Sequence, residues 1–436
     1  MKPVNVGMLG LGTVGAGVAN ILERNADVIT RRAGREIRIT RVAARHLDRP
    51  RSCRLEGFQL TTDPFEVVDD PEVEIVVELI GGYEPARELV LRALDNGKHV
   101  VTANKALIAL HGNEIFARAR ETGVTVAFEA AVAGGIPIIK AIREALTGNR
   151  VEWLAGIING TANYILTEMF YEGREFGEVL AEAQRLGYAE ADPSFDVEGI
   201  DAAHKLTILA SIAFGIPLQY DKVHIEGIDH ITREDVAWAQ ELGFRIKHLG
   251  LAFHVENGYT LRVHPALLPV RHMLANVDGV MNAVMVKGDA VGPTMYYGAG
   301  AGAEPTASAV VADMVDVVRE FNLEPENRVP YLAFHSHALS KGVVLPMHEV
   351  ETAYYLRLFA RDEPGVLADV TRVLGDRGIS IEAVIQKQPE PGVDHIPVIL
   401  LTHKVREGQM DAAIEQLENL ERIDGRIVRI RVENLE

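Results

Sequence analysis

The chain has 436 residues, of which 47% are hydrophobic and 24% are charged. This composition is typical of globular proteins, and the length predicts two or three domains. Acidic residues outnumber basic ones by 62 to 44, giving a formal net charge of −18. Because nucleic acids and anionic membrane surfaces attract basic proteins, this charge argues against both as partners. The single cysteine, Cys53, excludes an intrachain disulfide and a thiolate metal cluster.

Nothing in the sequence suggests a membrane anchor. No stretch reaches the roughly 18 consecutive apolar residues that a membrane-spanning helix requires. A strand-like segment, Val4–Leu9, begins close to the first residue, so we expect no leader sequence. A single thiol is also compatible with a reducing compartment. These features together predict a cytoplasmic protein.

A glycine-rich turn follows the first predicted strand. Its residues are Gly10, Leu11, Gly12, Thr13, Val14 and Gly15, and a helical pattern begins directly after them. A strand, a Gly-x-Gly-x-x-Gly turn and a helix in this order are typical of a dinucleotide-binding site. Gly10 allows the tight turn, Gly12 lets the backbone approach a pyrophosphate, and Gly15 lets helix and strand pack closely. The alternative is a glycine turn in an unrelated α/β domain, and the flanking strand and helix favour the cofactor site.

The end of the second predicted strand, 37–44, bears on the choice of cofactor. In NAD-preferring proteins an acidic residue near this point binds the ribose 2′-hydroxyl, whereas a guanidinium suits a 2′-phosphate. Here the position carries Arg45, with His46, Arg49 and Arg51 beyond it. Arg45 favours NADPH, with NADH as the alternative, since these arginines fit an exposed basic loop almost equally well.

The pattern of the first 130 residues indicates a mostly parallel, doubly wound α/β sheet. Further strands are predicted at 74–80, 98–102 and 124–128, with amphipathic helices near 85–96 and 107–122 between them. Lys105 follows the strand that ends at Thr102, at the carboxyl edge where such sheets bind ligands. A lysine in a loop is equally often just solvated, so position alone leaves the role of Lys105 open.

The middle of the chain contains an acidic cluster followed by a lysine. Its members are Glu190, Asp192, Asp196, Glu198 and Asp201, with Lys205 behind them. Asp201 and Lys205 lie four apart on a predicted helix and therefore share one face. Such a pair is most often a surface ion pair. The apolar flanking residues instead favour a partly buried position, where a lysine beside a carboxylate can donate or accept a proton.

Seven segments carry a specific resemblance to a known family. They are Gly10–Gly15, Val77–Gly82, Thr102–Lys105, Asn159–Tyr164, Gly187–Pro193, Asp196–Lys205 and Tyr296–Gly302. In these segments, and over almost its whole length, the chain resembles bacterial homoserine dehydrogenases that have a C-terminal regulatory extension. The resemblance implies reversible, NAD(P)H-dependent reduction of L-aspartate 4-semialdehyde to L-homoserine, in threonine, methionine and isoleucine biosynthesis.

The resemblance also implies roles for individual residues. Lys205 would donate or accept the proton at the substrate oxygen, with Lys105 beside it and Asp201 orienting it within the substrate site. Glu190 would bind the substrate amino group, and the pocket would be completed by Asp196, Tyr188 and Thr161. These residue types suit the chemistry, because an ammonium binds a carboxylate and a developing alkoxide needs a positive proton donor. Further implied cofactor contacts are Lys105, Gly187 and Gly302.

A cation site is implied by the resemblance alone. It maps onto the Glu129 carboxylate and three backbone carbonyls, those of Val132, Gly134 and Ile136. Such hard oxygen ligands suit Na⁺ rather than zinc. From the residues themselves, Glu129 is only a residue at the end of a strand. The expected role of the cation is structural, at the hinge between two domains.

The last part of the chain predicts a small ferredoxin-like α+β unit. Strands at 354–360, 379–385, 396–402 and 427–432 alternate with helices, one ending near 378 and one over 409–420, in the order βαββαβ. The segment Asp362–Leu367 after the first strand resembles an ACT domain, a module that binds amino acids and often pairs with a copy of itself. We expect L-threonine as its effector, and a purely structural dimerisation domain is the alternative.

These features predict an α/β protein with three domains. A Rossmann-type dinucleotide-binding domain (1–134) is completed by a returning segment (303–326), and a central α+β catalytic and dimerisation domain covers 135–302. A connector (327–350) leads to the ACT domain (351–436), and the expected assembly is a homodimer or homotetramer. Two other functions are weaker. Aspartate-semialdehyde dehydrogenase needs a cysteine nucleophile, and Cys53 lies too early in the chain. An NAD(P)-sensing regulator needs no proton donor such as Lys205.

Overall fold

A computed structural model of the protein describes residues 2–387 and 395–435. The first domain contains a sheet of six parallel strands in the order β3-β2-β1-β4-β5-β6. The strands are β1 (Val4–Leu9), β2 (Ile37–Ala43), β3 (Gln59–Thr61), β4 (Ile75–Glu78), β5 (His99–Thr102) and β6 (Val126–Ala127). The helices are α1 (Thr13–Arg24), α2 (Ala26–Ala33), α3 (Phe65–Val68), α4 (Ala86–Asp95) and α5 (Lys105–Thr122). The predicted Rossmann-type parallel sheet is confirmed.

Burial explains why these segments form the interior strands of a parallel sheet. Val4, Val6, Met8 and Leu9 of β1 are fully buried, as are three of the four residues of β4. Helices cover both faces of such a sheet, so its strands are apolar on both sides rather than alternating. The fourth residue of β4, Glu78, is also fully buried, although it is charged. Because β1, β4 and β5 are neighbouring parallel strands, their carboxyl ends meet at one edge of the sheet, and Glu78 is a polar group at that edge.

The central domain combines an antiparallel sheet with helices on one face. Its helices are α6 (Ile138–Lys140), which continues into a π-helical turn at Ala141–Ala145, α7 (Gly160–Glu172), α8 (Phe176–Arg185), α9 (Ser194–Val197), α10 (Ile200–Phe214) and α11 (Arg233–Glu241). Its strands are β7 (Val151–Ile157), β8 (His224–Ile225), β9 (Phe244–Val255), β10 (Gly258–Pro269), β11 (Met281–Gly288) and β12 (Gly292–Ala299). Helix α10 is buried from Asp201 to Phe214. A helix buried on all sides must place its few charged residues in the interior.

After β12 the chain returns to the first domain, and the segment that follows then leads back to the central domain. Helix α12 (Ala303–Glu320) lies against α1, and a Cβ on Gly17 of α1 would stand only 2.7 Å from the carbonyl oxygen of Ala303. Close helix packing of this kind depends on the missing side chain. The segment 321–350 has only short 3₁₀ turns, but it is anchored at both ends. The Tyr331 hydroxyl donates to the Val124 carbonyl at 2.7 Å, and the Tyr259 amide donates to Val343 at 2.9 Å.

The C-terminal domain has the predicted βαββαβ order. Its elements are β13 (Glu351–Arg361), α13 (Val366–Asp376), β14 (Ile381–Gln386), β15 (His395–Thr402), the short β16 (Val405–Arg406), α14 (Glu407–Glu418) and β17 (Ile423–Val432). The four long strands form an antiparallel sheet in the order β17-β13-β15-β14. Helices α13 and α14 share an apolar core with that sheet. This is the arrangement expected of a ferredoxin-like unit.

The C-terminal sheet is continuous with the central sheet, which the sequence did not indicate. Strand β17 pairs in parallel with β10, through Ala266 opposite Arg431 and Leu267 opposite Val432. The amide of Glu433 extends this ladder by donating to the Leu267 carbonyl at 3.0 Å. The combined sheet runs β12-β11-β7-β9-β10-β17-β13-β15-β14. The central and C-terminal domains therefore share one continuous hydrogen-bonded sheet.

Buried charges lie beside this joint. Arg357 of β13 donates to both oxygens of Asp235 in α11, at 2.7 and 3.0 Å. Arg431 of β17 is fully buried and donates to Glu226, near β8, at 2.7 Å, and to Glu407 at 3.0 Å. The central and C-terminal domains are therefore connected by paired charges as well as by the shared sheet. No helix among residues 2–387 and 395–435 is long and apolar enough to span a membrane.

Candidate active site

A buried lysine–carboxylate pair lies where the first domain meets the central domain. Lys205 and Asp201 are one turn apart on α10, and Lys205 Nζ donates to Asp201 Oδ2 and to the Ile158 carbonyl, both at 2.7 Å. Burial lowers the pKa of Lys205, helped by the nearby charge of Lys105, while Asp201 opposes the shift. The predicted pair is thus a buried one rather than a surface ion pair.

Lys105 is brought to the same carboxylate from the first domain. It is the first residue of α5, and its Nζ lies 3.0 Å from Asp201 Oδ1, the oxygen that Lys205 does not contact. Burial lowers the pKa of Lys105, but the charges of Asp201, Asp196 and Glu190 outweigh this and raise it overall. Although burial opposes it, the two lysine charges hold the pKa of Asp201 well below its ordinary value. The two lysines share one carboxylate but have pKa values shifted in opposite directions.

Asn159 connects the carboxylates of the site. Its side-chain nitrogen donates to Asp196 Oδ1 at 2.7 Å and to Asp201 Oδ2 at 2.8 Å. Its side-chain oxygen accepts from the amide of Ala162 at 2.7 Å and caps α7. Burial and the charge of Asp201 raise the pKa of Asp196, whereas the bond from Asn159 lowers it. The sequence placed Asn159 only in a turn, and its cap position before a helix was the available signal.

The remaining residues of the predicted substrate pocket lie at the start of α7 and in the loop after α8. The Thr161 hydroxyl donates to the Tyr188 carbonyl at 2.7 Å, which ties the loop after α8 to the start of α7. The Tyr188 ring is 44% exposed and stands edge-on to Tyr164. Glu190 is exposed, and its charge acts on Lys105. Within the described part of the chain its carboxylate forms no hydrogen bond or ion pair, so it is available to a ligand.

The glycine turn has the geometry that a bound dinucleotide requires. Gly10 has φ +103°, and a Cβ there would lie 2.8 Å from the Leu79 carbonyl oxygen. A Cβ on Gly15 would lie 2.4 Å from the carbonyl oxygen of Gly10, whereas nothing lies within 4 Å of one on Gly12. Gly12 is also the cap of α1 and provides no side chain for its free amides. An uncapped helix start beside open space is a suitable site for a pyrophosphate.

Arg45 lies directly after β2 at the carboxyl edge of the sheet. It is exposed, and in the part of the chain that the structure describes its guanidinium contacts no acidic side chain. Arg51 behaves differently, because its guanidinium donates to the carbonyls of Leu11 and His46, both at 2.6 Å. Arg51 therefore fixes this loop against the glycine turn, while Arg45 remains free to contact a ligand.

Two other predicted cofactor contacts, Gly187 and Gly302, lie in loops. Gly187 follows α8 with φ +77° and has open space where a Cβ would be. Gly302 precedes α12 with φ +121°. Both backbones adopt conformations that favour glycine, which explains the residue type without requiring a ligand.

Glu78 is a site-forming residue that sequence analysis left as part of a strand. Its carboxylate accepts from the Ile80 and Gly81 amides, at 2.9 and 3.0 Å, and from the Thr102 hydroxyl at 2.6 Å. Burial raises its pKa, and these three donors oppose the shift. Glu78 thereby holds the ends of β4 and β5 together beside Lys105. A lone acidic residue in an apolar strand was the signal for it.

The predicted cation ligands lie in a tight turn at the domain boundary. The Glu129 oxygens accept from the Ile139 and Lys140 amides, at 2.9 and 2.8 Å, and the Glu129 amide donates to Asp313 at 2.8 Å. Burial raises the pKa of Glu129 to about 7. Burial and the charge of Glu129 raise the pKa of Asp313 well above its ordinary value.

The turn that carries the predicted carbonyl ligands is also strained. Gly134 has φ +49°, and the preceding Ala133 has φ +55°. The Ile136 carbonyl already accepts from the Ile138 amide at 2.8 Å. No group of three or more His, Cys, Asp or Glu residues that could hold a metal occurs among residues 2–387 and 395–435. A cation here would therefore rely on carbonyl oxygens and one carboxylate, and it would offset the repulsion between two buried carboxylates.

A parallel sheet with an open glycine turn, together with two lysines on one buried carboxylate, is typical of a nicotinamide-dependent oxidoreductase. Comparison with known families matches residues 10–129 to the NAD-binding domain of homoserine dehydrogenase, 137–315 to homoserine dehydrogenase and 354–422 to the ACT domain. The chain belongs to the homoserine dehydrogenase family and has its activity, the NAD(P)-dependent interconversion of L-aspartate 4-semialdehyde and L-homoserine in amino-acid biosynthesis.

Two individual relatives support this assignment over the full length, and a third supports it over part of the chain. A homoserine dehydrogenase of Pseudomonas aeruginosa is 64% identical over 436 residues, covering 100% of both chains. The crystal structure of a homoserine dehydrogenase from Thiobacillus denitrificans is 63% identical, with a TM-score of 0.96 over 100% of this chain and 99% of that one. A hyperthermophilic archaeal homoserine dehydrogenase in complex with NADPH is 26% identical, with a TM-score of 0.62, and covers 73% of this chain and 99% of its own.

Proposed function

We propose that Lys205 is the proton donor in aldehyde reduction and the proton acceptor in homoserine oxidation. The observation that carries this proposal is the contact between Lys205 Nζ and Asp201 at 2.7 Å in a buried site. The nicotinamide cofactor, when bound, supplies or accepts the hydride. As the aldehyde carbon gains the hydride, its oxygen gains negative charge, and the Lys205 ammonium gives that oxygen a proton. In the reverse direction the neutral amine removes the same proton.

The opposite pKa shifts of the two lysines suit different roles. A proton donor works best when its pKa is near the working pH, and burial moves that of Lys205 downward in this direction. Lys105, whose pKa is raised, stays cationic and stabilises the developing negative charge on the substrate oxygen. Asp201 is held ionised by both lysines and orients them from its two oxygens. The site thus separates proton transfer from electrostatic stabilisation.

The acidic groups around Lys105 would select the substrate's amino group. Glu190 has a free carboxylate, and Asp196 shares the Asn159 amide with Asp201. A substrate ammonium paired with Glu190 would form a charge-assisted hydrogen bond. Tyr188 and Thr161 would form the wall of the pocket, and the free amides at the start of α7 suit the substrate carboxylate. These contacts would hold the reacting carbon of the substrate in a fixed position relative to the cofactor.

We infer that NADPH is the preferred nicotinamide. Gly10, Leu11, Gly12, Thr13, Val14 and Gly15 would bind its pyrophosphate, and Arg45 would pair with its 2′-phosphate. Arg45 supports this preference because it lies exposed at the end of β2, where NAD-preferring proteins carry an acid. Gly187, Gly302 and Lys105 would border the nicotinamide half of the site. The NADPH complex of the archaeal relative is consistent with this choice.

A monovalent cation, Na⁺, is proposed at Glu129 with the carbonyls of Val132, Gly134 and Ile136. The proximity of two buried acidic residues, Glu129 and Asp313, supports it, since a cation between the domains would offset their repulsion. Its role would be to hold the turn between the two domains.

We also propose that the protein is cytoplasmic, that it forms a homodimer or homotetramer, and that L-threonine acts at the ACT domain.

The proton-transfer role is tested with Lys205→Met, which keeps most of the side-chain volume. The assay follows NADPH absorbance with aspartate semialdehyde, and the expected loss in kcat is about 10²- to 10⁴-fold. Lys222→Met, at an exposed lysine after α10, is the matched control and should keep the wild-type rate. An unchanged rate in Lys205→Met would refute the proton-donor role. No turnover by wild type with NADPH or NADH would refute the function.

A further inference from the structure

Asn159 binds two carboxylates of the site with a single amide group. Its nitrogen carries two N–H bonds, and these donate to Asp196 Oδ1 at 2.7 Å and Asp201 Oδ2 at 2.8 Å. Its oxygen accepts from the Ala162 amide at 2.7 Å. Only the oxygen of an amide side chain can accept a bond from a backbone N–H, so this contact fixes which end of Asn159 faces the carboxylates. The side chain is buried, with 5% of its surface exposed.

A neutral donor is the suitable group at this position. The buried Asp201 carboxylate and the half-buried Asp196 carboxylate repel each other, and partial burial together with the charge of Asp201 raises the pKa of Asp196. A cationic side chain here would relieve the repulsion but would compete with Lys205 and Lys105 for Asp201. The Asn159 amide stabilises both ionised carboxylates without adding a charge. The electrostatic balance between the lysines and Asp201 is therefore left intact.

The contacts to Asp201 also fix the plane of its carboxylate. Oδ2 accepts from both Asn159 and Lys205, whereas Oδ1 faces Lys105 at 3.0 Å. A carboxylate held by donors at both oxygens cannot rotate about its Cβ–Cγ bond without losing at least one of them. Asn159 belongs to the turn after β7 and is bound to α7 through its cap contact. Asn159 thus fixes the orientation of Asp201 on α10 relative to α7, a second element of the central domain.

We propose that Asn159 is a positioning residue for proton transfer and for recognition of the substrate amino group. It keeps the Asp201 carboxylate turned so that one oxygen holds Lys205 and the other holds Lys105. It also keeps Asp196 ionised, which preserves a negative charge for a cationic amino group. This inference rests on the proposed roles of Lys205 and Asp201 and assigns them a common support.

Two substitutions separate positioning from helix capping. Asn159→Ser and Asn159→Asp both retain an oxygen that can cap α7, but neither offers an N–H to the carboxylates. Serine adds no charge, whereas aspartate adds a third carboxylate. Asn149→Ser is the matched control, because Asn149 also accepts from a backbone amide (Val291, 2.9 Å) and donates to a carbonyl (Leu146, 3.2 Å), outside the site.

The readouts are the melting temperature and kcat/KM for aldehyde reduction across pH, the direction in which Lys205 acts as the protonated donor and the acid limb therefore reports the carboxyl groups. We expect kcat/KM to fall roughly 10- to 100-fold in Asn159→Ser, because a small misplacement of catalytic groups has effects of this size. The fall should be larger in Asn159→Asp. The acid limb of the pH profile should move to higher pH in both variants, since loss of the donor raises the pKa of Asp196. The melting temperatures should match that of Asn149→Ser.

Two results would overturn the proposal. The first is a wild-type kcat/KM with an unmoved acid limb in Asn159→Ser. The second is a rate loss that tracks a fall in melting temperature while the pH profile stays unchanged, which would assign Asn159 to folding alone. Lys205→Met, measured alongside, tests the proton-donor role itself. Failure of that role appears there and is distinct from failure of the positioning role.

Discussion

Replacing Arg431 by methionine should destabilise the joint between the central and C-terminal domains. Arg431 is fully buried and donates to Glu407 Oε2 at 3.0 Å and to Glu226 Oε2 at 2.7 Å. Although burial opposes it, these contacts lower the pKa of both carboxyl groups, with His224 contributing at Glu226. Methionine preserves much of the stem volume but leaves two partly or fully buried carboxylates without their main partner. Removing one member of a buried ion pair costs about 3–5 kcal/mol.

The remaining contacts place the expected cost of Arg431→Met at the lower end of that range. Glu407 keeps the Tyr354 hydroxyl at 2.7 Å and Arg429 at 3.1 Å. Among residues 2–387 and 395–435, Glu226 keeps only histidine side chains as partners, the nearest being His230 at 3.5 Å and His224 at 3.8 Å. We therefore expect a loss of about 3 kcal/mol at pH 7, arising mostly at Glu226. If the free energy of unfolding falls by about 3 kcal/mol per M of urea, the midpoint of the first unfolding transition should move down by roughly 1 M urea.

The dependence on pH distinguishes this cause from a simple packing defect. In wild type the low folded-state pKa of Glu226 contributes stability above its unfolded-state pKa, and this contribution is lost as pH falls. In the variant the two carboxyl groups lose their partner and take up protons more readily. The stability difference between wild type and variant should therefore shrink from pH 7 to pH 5.

Urea titration followed by tryptophan fluorescence provides the measurement, since one of the two tryptophans, Trp238, lies on α11 beside this joint. Arg406→Met is the control, since Arg406 pairs with Glu351 at the surface and should change the midpoint little. A midpoint shift in Arg431→Met as small as that of the control would refute the reasoning. So would a difference that stays constant between pH 7 and pH 5.

Four further predictions concern catalysis and the ligands. Arg45→Glu should lower kcat/KM for NADPH by at least about tenfold relative to NADH, through loss of one charge-assisted phosphate contact; equal effects on both cofactors would count against the 2′-phosphate contact. The rate of homoserine oxidation should rise as pH increases through the lowered pKa of Lys205, because this direction needs the neutral amine. The rate of aldehyde reduction should fall over the same range, and a parallel response in both directions would contradict this. Wild type should melt higher in NaCl than in choline chloride, and Glu129→Gln should lose the difference; a wild-type protein insensitive to Na⁺ would exclude the cation site. Titration with L-threonine should change activity or oligomeric state, and no effect on either would leave the ACT domain a structural role.

The parts of the fold that follow from local pattern could be predicted. The glycine turn after β1 and the Asp201–Lys205 spacing on α10 depend on short-range periodicity, and both lie where the sequence placed them. The roles of Glu190 and of the cation ligands came from resemblance, because a free carboxylate or a carbonyl oxygen has no sequence signature.

Long-range partners could not be predicted from the sequence. Asn159 and Glu78 act on side chains that lie 24 to 42 residues away, and hydrophobic period carries no information about such pairs. The pairing of β10 with β17 joins Ala266 to Arg431. The sequence predicts a strand at 427–432 but none at 258–269, and a strand pattern does not identify which edges meet. The continuous sheet therefore became visible only in three dimensions.

The shared sheet limits how the C-terminal domain can be separated from the rest of the protein. Ending the chain near residue 350 would remove β17 and uncover the edge of β10, where Arg262 now pairs with Glu433 at 3.0 Å. An uncovered edge strand invites pairing with other chains, so such a truncation would favour aggregation. A rigid connection of this kind also leaves little freedom for rotation about a flexible linker. Any displacement of β17 by an effector would be carried by backbone hydrogen bonds into β10, a strand of the central domain.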